Sequence, residues 1–246
     1  SRNLNKGLRR SYPFIYEQIK SLSNLGIIVD IFMIKGKGIF GYLSNYNNFH
    51  RKLKKFKPNI IHAQSGHAGF FSLLQIKNPV ITTFHGSDIN NIYTRGLSFI
   101  VSKLSKDSIF VNDKQPLLIH YTEKPNIIPC GVDLNIFHPL NMLESRKKVN
   151  LLPNKIYALF TSSFENKIKN VDLARKAIEI SKKEITLLEL NNLDRHEVNL
   201  YLNSSNFLIM TSNSEGSPQI IKEAMACNCP IVSVNVGDVR KIIKLA

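Results

Sequence analysis

Residues 206–234 read NFLIMTSNSEGSPQIIKEAMACNCPIVSV. Residues 206–210 form a short apolar run typical of a buried strand, residues 218–226 have a helical pattern, and residues 230–234 are apolar again. A strand, a helix and a second strand in this order predict one unit of a parallel α/β sheet. The loop 211–217 therefore follows a strand and precedes a helix, where ligands bind in open α/β sheets.

The same alternation runs through the rest of the 246-residue chain. It predicts parallel sheets with crossover helices. The nearly continuous apolar run at residues 26–34 is typical of a strand covered on both faces. Further strands are expected at residues 59–63, 80–84, 108–111, 126–128, 156–160 and 185–190, and helices at 12–24, 49–56, from about 69, 171–182 and 194–203.

A hydrophilic stretch from Pro139 to Asn154, with two prolines and several charged residues, is the predicted linker. It divides the chain into an N-terminal domain of residues 1–150 and a C-terminal domain of residues 151–246. The first half has no opening strand, and the chain stops within a helical pattern. We therefore expect the first strand of the N-terminal domain and the C-terminal helices to be missing.

The net charge of the chain indicates which classes of partner it can bind. Lys and Arg number 33 against 18 Asp and Glu, and the formal net charge of +15 favours contact with phosphates, nucleic acid or anionic lipid. A composition rich in Lys, Asn and Ile throughout is an alternative origin of this charge. Because the basic residues are scattered and no DNA or RNA motif occurs, a nucleic-acid-binding module is a distant alternative, and we expect no nucleic acid partner.

The three cysteines, Cys130, Cys227 and Cys229, have neither disulfide nor metal-site spacing, which indicates a reducing compartment and a packing role. No apolar run approaches the length of a membrane span, and no secretory signal precedes the first domain. We expect a cytoplasmic protein.

One predicted helix of the first domain concentrates basic and aromatic residues. Such a surface suits an anionic membrane, here the inner face of the plasma membrane near a lipid-linked acceptor. The candidate residues are Lys52, Lys54, Lys55 and Lys57, with Phe49 and Phe56 beside them.

The loop before the helix at 218–226 has the features of an anion site. Ser217 suits an N-cap and Pro218 the first helical position, which leaves the backbone N–H groups of Gln219 and Ile220 without helical partners. These donors and the positive end of the helix dipole suit a diphosphate.

Glu215 and Glu223 lie before and within this helix, and their carboxylates could flank a ligand and accept hydrogen bonds from sugar hydroxyls. The alternative is that Glu215 only complements the helix dipole and that Glu223 is a solvated surface residue.

The spacing of these two glutamates, followed by AMACNCPIV at 224–232, resembles the E-x7-E signature of the retaining glycosyltransferases of family 4. Further blocks match in the family's order: TFHGSD at 83–88, PCGVD at 129–133 with Phe137, and NVGDV at 235–239.

The resemblance implies an α/β protein of the GT-B type, with two Rossmann-like domains facing each other across a cleft. It implies a retaining hexosyltransferase that moves a sugar from a nucleoside diphosphate sugar to a hydroxyl of a glycan or lipid-linked acceptor, in polysaccharide or lipopolysaccharide biosynthesis. An epimerase or a phosphorylase of the same fold is the alternative. A third class, the nucleic-acid-binding module, rests on charge alone.

The resemblance also assigns roles. Glu215 contacts the donor sugar, Glu223 binds the ribose, and Lys169 neutralises the leaving diphosphate, with Lys167 as a rival. His85 reaches the donor sugar from the opposite domain. The remaining donor-binding candidates are Gly216, Ser217, Pro218, Gln219, Ile220, Ser162, Ser163 and Leu190.

Two departures from the family pattern matter. Ser163 stands where many relatives have an arginine, so a clamp of two cations is not expected. The family's glycine-rich loop, near residues 1–7, is incomplete or divergent, and the 246-residue chain by itself is therefore expected to bind weakly or not to turn over. No D-x-D motif occurs and the spacing of His62 and His67 is loose for a metal pair, so we expect neither metal nor cofactor.

Overall fold

The computed structural model describes residues 12–36 and 38–244 and has two compact units. The N-terminal unit spans Ile15–Pro129, and the C-terminal unit contains Cys130 and all described residues after it. Residues 1–7, where the glycine-rich loop was predicted, lie outside the described residues.

The N-terminal unit contains a four-stranded parallel sheet in the order β1-β2-β3-β4. Helices connect successive strands. Its elements are α1 (Pro13–Asn24), which begins just before the unit, α2 (Gly38–Ser44), α3 (Tyr46–Phe56), β1 (Ile61–Ala63), α4 (Gly66–Ser72), β2 (Val80–Phe84), α5 (Ser87–Asn90), α6 (Ile92–Leu104), β3 (Asp107–Phe110), α7 (Lys114–Leu118) and β4 (Asn126–Ile127).

A buried carboxylate fastens the loops after β1 and β2. Asp88 is 4% exposed, and its two oxygens accept hydrogen bonds from Gly66 N at 3.1 Å and Gly86 N at 3.0 Å. In the core of the same unit, the rings of Phe84 and Phe110 stack with centroids 5.3 Å apart. Asp88 in the TFHGSD block is therefore part of the scaffold that positions the residue before Gly86.

The strand predicted at residues 26–34 is absent, and this prediction is wrong. Residues 27–35 form neither helix nor strand, and Ile28 is 82% exposed. A strand requires hydrogen bonds to a neighbouring strand, and nothing in the described part of the chain pairs with this segment. An apolar run records a preference for burial but does not supply the partner strand.

The structure exposes only part of the predicted membrane patch. Phe49 is buried, with its ring 5.1 Å from that of Phe71, and Lys52 forms an ion pair with Asp30 at 2.8 Å. These side chains lie on the inner face of α3. The exposed members of the patch are Lys54, Lys55, Phe56 and Lys57. Within the described residues, no helix is both long and apolar enough to cross a bilayer.

The C-terminal unit contains a second four-stranded parallel sheet, in the order β6-β5-β7-β8. Its elements are α8 (Met142–Lys148), β5 (Ile156–Phe160), a 3₁₀ turn (Lys167–Lys169), α9 (Val171–Ser181), β6 (Ile185–Glu189), α10 (Arg195–Ser204), β7 (Phe207–Met210), α11 (Gln219–Ala226), β8 (Ile231–Ser233) and α12 (Val239–Ile243).

This strand order places a topological switch between β5 and β7. The chain leaves β5 for β6 on one side and returns to β7 on the other, where Phe160 pairs with Ile209. The connections at the carboxyl ends of β5 and β7 therefore run in opposite directions and leave a crevice, the usual ligand position in open parallel sheets.

The core of the C-terminal unit confirms the packing role predicted for two cysteines. Cys227 and Cys229 are free thiols buried among apolar side chains that include Phe137 and Ile221. Burial raises the pKa of the Cys227 thiol to about 12 and that of the Cys229 thiol to about 11. Both are therefore neutral at physiological pH.

The stretch predicted as a linker is folded, and the units divide before it rather than after residue 150. It contains α8, whose Arg146 is 3% exposed and donates to Ser204 O at 2.9 Å, to Asn206 Oδ1 at 2.8 Å and to Pro153 O. These bonds fasten α8 to the region between α10 and β7. The linker was predicted from hydrophilic composition. That prediction fails because α8 buries Arg146, although the other charged side chains of the helix are exposed.

Candidate functional site

Two loops meet at the switch point of the C-terminal sheet. The first leaves β5 and ends in the 3₁₀ turn, and the second joins β7 to α11. Thr211 Oγ1 donates to the carbonyl oxygens of Lys169, at 3.0 Å, and Asn170, at 2.8 Å. Asn213 N donates to Ile168 O at 2.9 Å. These bonds fix the backbone of Lys169 beside the second loop.

The first loop is also fixed at its start. Glu189, at the end of β6, accepts a hydrogen bond from Phe164 N at 2.7 Å. Ser162 Oγ accepts from Asn166 Nδ2 at 3.3 Å, and Ser163 Oγ accepts from Glu165 N at 3.3 Å. Both hydroxyls hold their own loop together, and their contact with a donor remains a prediction.

Lys169 and Glu215 form the centre of the site. Lys169 Nζ lies 2.5 Å from Glu215 Oε1, and the two side chains are 21% and 13% exposed. Lys167 lies on the same turn but is exposed. Of the two candidate lysines, only Lys169 is thus paired with the signature glutamate. An ammonium has three donors, so this pair leaves capacity for a phosphate oxygen.

Glu223 has a cationic partner that the sequence did not reveal. Arg195 Nη1 donates to Glu223 Oε1 at 2.7 Å, and the side chains are 12% and 3% exposed. The guanidinium carbon lies 4.4 Å from the centroid of the Phe137 ring. The alternative of a solvated surface glutamate is therefore wrong for Glu223, and each signature glutamate is held by its own cation.

The start of α11 differs from the prediction. The helix begins at Gln219, Pro218 occupies the N-cap position, and no side chain in the described part of the chain caps the helix, so the predicted Ser217 cap is wrong. Pro218 has extended backbone, with ψ of 116°, which places Ser217 one residue too early to cap. The Ser217 hydroxyl is buried and has no hydrogen-bond partner among the described residues.

Side chains of α11 hold the segment that follows residue 129. Gln219 Nε2 donates to Gly131 O, and Lys222 Nζ donates to Cys130 O at 2.8 Å. Burial lowers the pKa of Lys222. The helix that carries Glu223 is therefore attached to the PCGVD block.

A glycine supports the loop that carries Glu215. Gly237 has φ of +58°, and a Cβ atom there would overlap the Gly216 carbonyl oxygen and lie 3.2 Å from Glu215 O. Backbone thus packs directly on backbone at this point. Two other donor-binding candidates, Leu190 and Ile220, pack against the hydrophobic core. Their contact with a donor remains a prediction.

His85 lies in the N-terminal unit, directly after β2. Its Nε2 is 2.9 Å from Gln64 Oε1, and His62 Nε2 is 2.7 Å from Thr83 Oγ1. Burial lowers the pKa of both imidazoles, so both are predominantly neutral near pH 7. A neutral, fixed imidazole can exchange hydrogen bonds with a sugar hydroxyl. That His85 reaches the donor sugar remains a prediction.

Two family models match the chain. The family model described as Glycosyltransferase Family 4 matches residues 9–136, which is more than half of the chain, and that described as Glycosyl transferases group 1 matches residues 187–246. The chain belongs to glycosyltransferase family 4.

Among individual relatives, TuaC of Bacillus subtilis (strain 168) is 24% identical over 220 residues. It is named "Putative teichuronic acid biosynthesis glycosyltransferase TuaC". The alignment covers 78% of this chain and 57% of TuaC.

Solved structures show the fold. A sucrose-phosphate synthase from Thermosynechococcus elongatus matches with a TM-score of 0.67 at 17% identity, over 82% of this chain and 62% of that chain. Anabaena HepE in complex with UDP and glucose matches with a TM-score of 0.64 at 13% identity, over 93% and 72%. The parallel sheets and these likenesses confirm the predicted α/β class and Rossmann-like GT-B fold.

The family resemblance named both glutamates but not Arg195. A faint signal existed, because Asp194 and Glu197 have the spacing of a capping box and thereby place Arg195 at the first position of a helix. No pattern in the sequence indicates that this helix end meets Glu223, which is 28 positions away.

Proposed function

We propose that this protein is a retaining hexosyltransferase. It transfers a sugar from a nucleoside diphosphate sugar to a hydroxyl of a glycan or lipid-linked acceptor, in the synthesis of a cell-surface polysaccharide or lipopolysaccharide. The observation that carries this proposal is the Lys169–Glu215 pair at the switch point between β5 and β7, with Glu223 held on α11.

The residues suit the charges that develop in such a reaction. The bond between the anomeric carbon and the phosphate oxygen breaks, and Lys169 stabilises the negative charge that builds on the departing diphosphate. That phosphate oxygen accepts the proton of the acceptor hydroxyl. The oxygen of this hydroxyl then bonds to the anomeric carbon on the face that the diphosphate leaves, which gives retention. Glu215 holds the sugar hydroxyls, and Glu223 holds the ribose.

The relatives support the substrate class. The name of TuaC refers to teichuronic acid biosynthesis, and HepE forms a complex with UDP and glucose. We infer a nucleotide-sugar donor and a glycan acceptor from these names and from the charges of the site. We propose that the ammonium of Lys169 takes the place of a metal ion at the leaving phosphate, so that the transfer uses no metal ion or other cofactor.

A thermal-shift panel of UDP, GDP and ADP with the full-length protein tests the donor site. We expect one diphosphate at about 100 times its Kd to add about 2.7 kcal/mol and raise Tm by about 5–10 °C, with EDTA present. The variant Glu223→Gln keeps an oxygen for Arg195 and should fold, but a loss of about 10-fold in affinity should reduce its Tm shift at the same ligand concentration to about half. Glu179→Gln, at an exposed position of α9, is the matched control.

Two results would contradict the proposal. The donor-site assignment fails if no diphosphate shifts the wild type, or if Glu223→Gln is shifted as much as the control. Conversion of the sugar nucleotide to an epimer without any acceptor would favour an epimerase of the same fold, and formation of a sugar phosphate from a glycan and inorganic phosphate would favour a phosphorylase.

The membrane contact belongs to the same proposal and uses a groove in the N-terminal unit. The groove has a volume of about 560 Å³ and lies between α3 and the turn after α4. Its lining includes Lys54, Lys57, Lys77 and His50, no acidic residue lines it among those that the structure describes, and Ile76 at its rim is 97% exposed. A basic rim around an exposed apolar tip suits the anionic inner face of the plasma membrane.

The turn that presents Ile76 is preorganised. Gln75 is 8% exposed, and its Oε1 accepts from Lys77 N at 3.0 Å and Asn78 N at 2.8 Å. Asn78 Nδ2 donates to Pro58 O at 2.6 Å and ties the turn to the end of α3. Little conformational entropy is therefore lost when the turn meets a surface.

The groove lies at the amino ends of the strands, whereas His85 follows the carboxyl end of β2, a strand of five residues. The two are therefore separated by at least the length of that strand, about 17 Å. An acceptor anchored in this membrane needs a head group of at least that length to reach His85.

Vesicle sedimentation tests the groove. At moderate salt, vesicles containing phosphatidylglycerol should retain the protein, whereas pure phosphatidylcholine vesicles should not. Changing Lys54, Lys57 and Lys77 together to Glu should weaken retention at least about 10-fold, because each basic residue near the surface contributes about 1 kcal/mol. The exposed Lys176→Glu of α9 should have a small effect. Equal retention of the triple variant and the wild type would refute the contact.

A further inference from the structure

Arg195 and Glu223 form an ion pair that is almost completely withdrawn from solvent. The side chain of Glu223 is 3% exposed and that of Arg195 is 12% exposed, with Nη1 and Oε1 2.7 Å apart. A buried carboxylate needs a compensating positive charge, and the guanidinium provides it.

Arg195 is itself held from two directions. Its backbone is the first turn of α10, where the Asp194 carboxylate accepts from His196 N at 2.8 Å and Glu197 N at 3.0 Å. The Glu197 carboxylate completes the capping box by accepting from Asp194 N at 2.7 Å. The guanidinium of Arg195 lies over the ring of Phe137, which is fully buried. The donor that meets Glu223 therefore has a fixed position.

Stability alone is a weak explanation for such a pair. The cost of desolvating two charges offsets most of their attraction, and well-packed apolar residues are often as stable. A guanidinium provides instead a planar donor set with fixed directions, which restrains the plane of a bound carboxylate. A lysine would supply the same charge without this direction.

We propose that Arg195 is a positioning residue that orients the Glu223 carboxylate toward the ribose hydroxyls of the donor. This inference rests on the proposed function, in which Glu223 binds the ribose. Arg195 acts through Glu223 and does not itself contact the donor.

The test compares each nucleotide with an analogue that lacks one ribose hydroxyl. Dissociation constants are measured on the full-length protein for UDP, GDP and ADP and for their 2′-deoxy forms. For the diphosphate that binds, the wild type should prefer the ribose form by at least about 10-fold, as expected for a hydrogen bond to a charged group. Glu223→Gln and Arg195→Lys should each reduce this preference to less than about 3-fold, while Arg175→Lys on α9 retains it.

The ratio separates positioning from folding. Partial unfolding of a variant weakens the ribose and 2′-deoxy forms equally, so a purely structural Arg195 would leave the ratio unchanged. If Arg195→Lys keeps the wild-type ratio while Glu223→Gln loses it, the inference is overturned and the proposed function stands. If the wild type binds no diphosphate or has no ribose preference, or if Glu223→Gln keeps the ratio, the ribose role of Glu223 fails and the inference fails with it.

Discussion

Replacing Lys169 with alanine is expected to lower kcat for sugar transfer by about 10²–10³-fold while the nucleoside diphosphate still binds. The negative charge on the leaving phosphate is larger in the transition state than in the bound donor. A fixed cation therefore stabilises the transition state more than the ground state. The measurement is the steady-state rate of the full-length protein with its sugar nucleotide and acceptor, together with the Kd for the free diphosphate.

Lys167→Ala is the matched control, because Lys167 lies on the same 3₁₀ turn but is exposed. It should change kcat by less than about 3-fold. The variant Lys169→Arg keeps the charge and should recover part of the lost rate. Equal losses in Lys167→Ala and Lys169→Ala would mean that the charge acts over a distance, and the contact with Glu215 would then have no special role.

The second large effect concerns stability. Arg146→Ala should lower the free energy of unfolding by about 3–5 kcal/mol, and Tm by about 10 °C, because a buried guanidinium is removed and the buried carbonyl oxygen of Ser204 loses its donor, as do the partly buried bonds to Pro153 O and Asn206 Oδ1. The guanidinium also lies over the ring of Tyr157, with its carbon 5.2 Å from the centroid. Chemical denaturation measures the change.

Arg175→Ala provides the comparison, because its side chain is 56% exposed and pairs with Asp172 at 3.6 Å. An exposed pair of this kind should change stability by no more than about 0.5 kcal/mol. If both variants lose the same stability, α8 is not fastened by Arg146, and its attachment to the C-terminal unit would depend on other contacts.

Most strands were predictable because they are short apolar runs bounded by turn residues. Val80–Phe84 and Ile156–Phe160 begin and end where the pattern predicted. The failure at residues 26–34 and the folded segment at 142–148 have a common cause. Composition indicates only which secondary structure a segment favours. Residues 26–34 would need a partner strand to form a strand, and residues 142–148 are folded because Arg146 is buried.

The residues of the candidate site were predictable from the sequence, but their contacts were not. The sequence identified Lys169, Glu215 and Glu223 because their spacing within and around known motifs is informative. It could not reveal that the two carboxylates have separate cations, since these pairs join residues 46 and 28 positions apart. Nor could it place Pro218 at the N-cap, because the choice between Ser217 and Pro218 depends on one backbone angle.

Gly237 shows how a residue without functional groups can control a site. The peptide that carries Glu215 rests on it, and any side chain would push that peptide aside. Selection for glycine at this position would therefore make it as invariant across relatives as a ligand-binding residue. Such invariance would record the contact of two backbones and would be mistaken for substrate recognition by anyone comparing sequences alone.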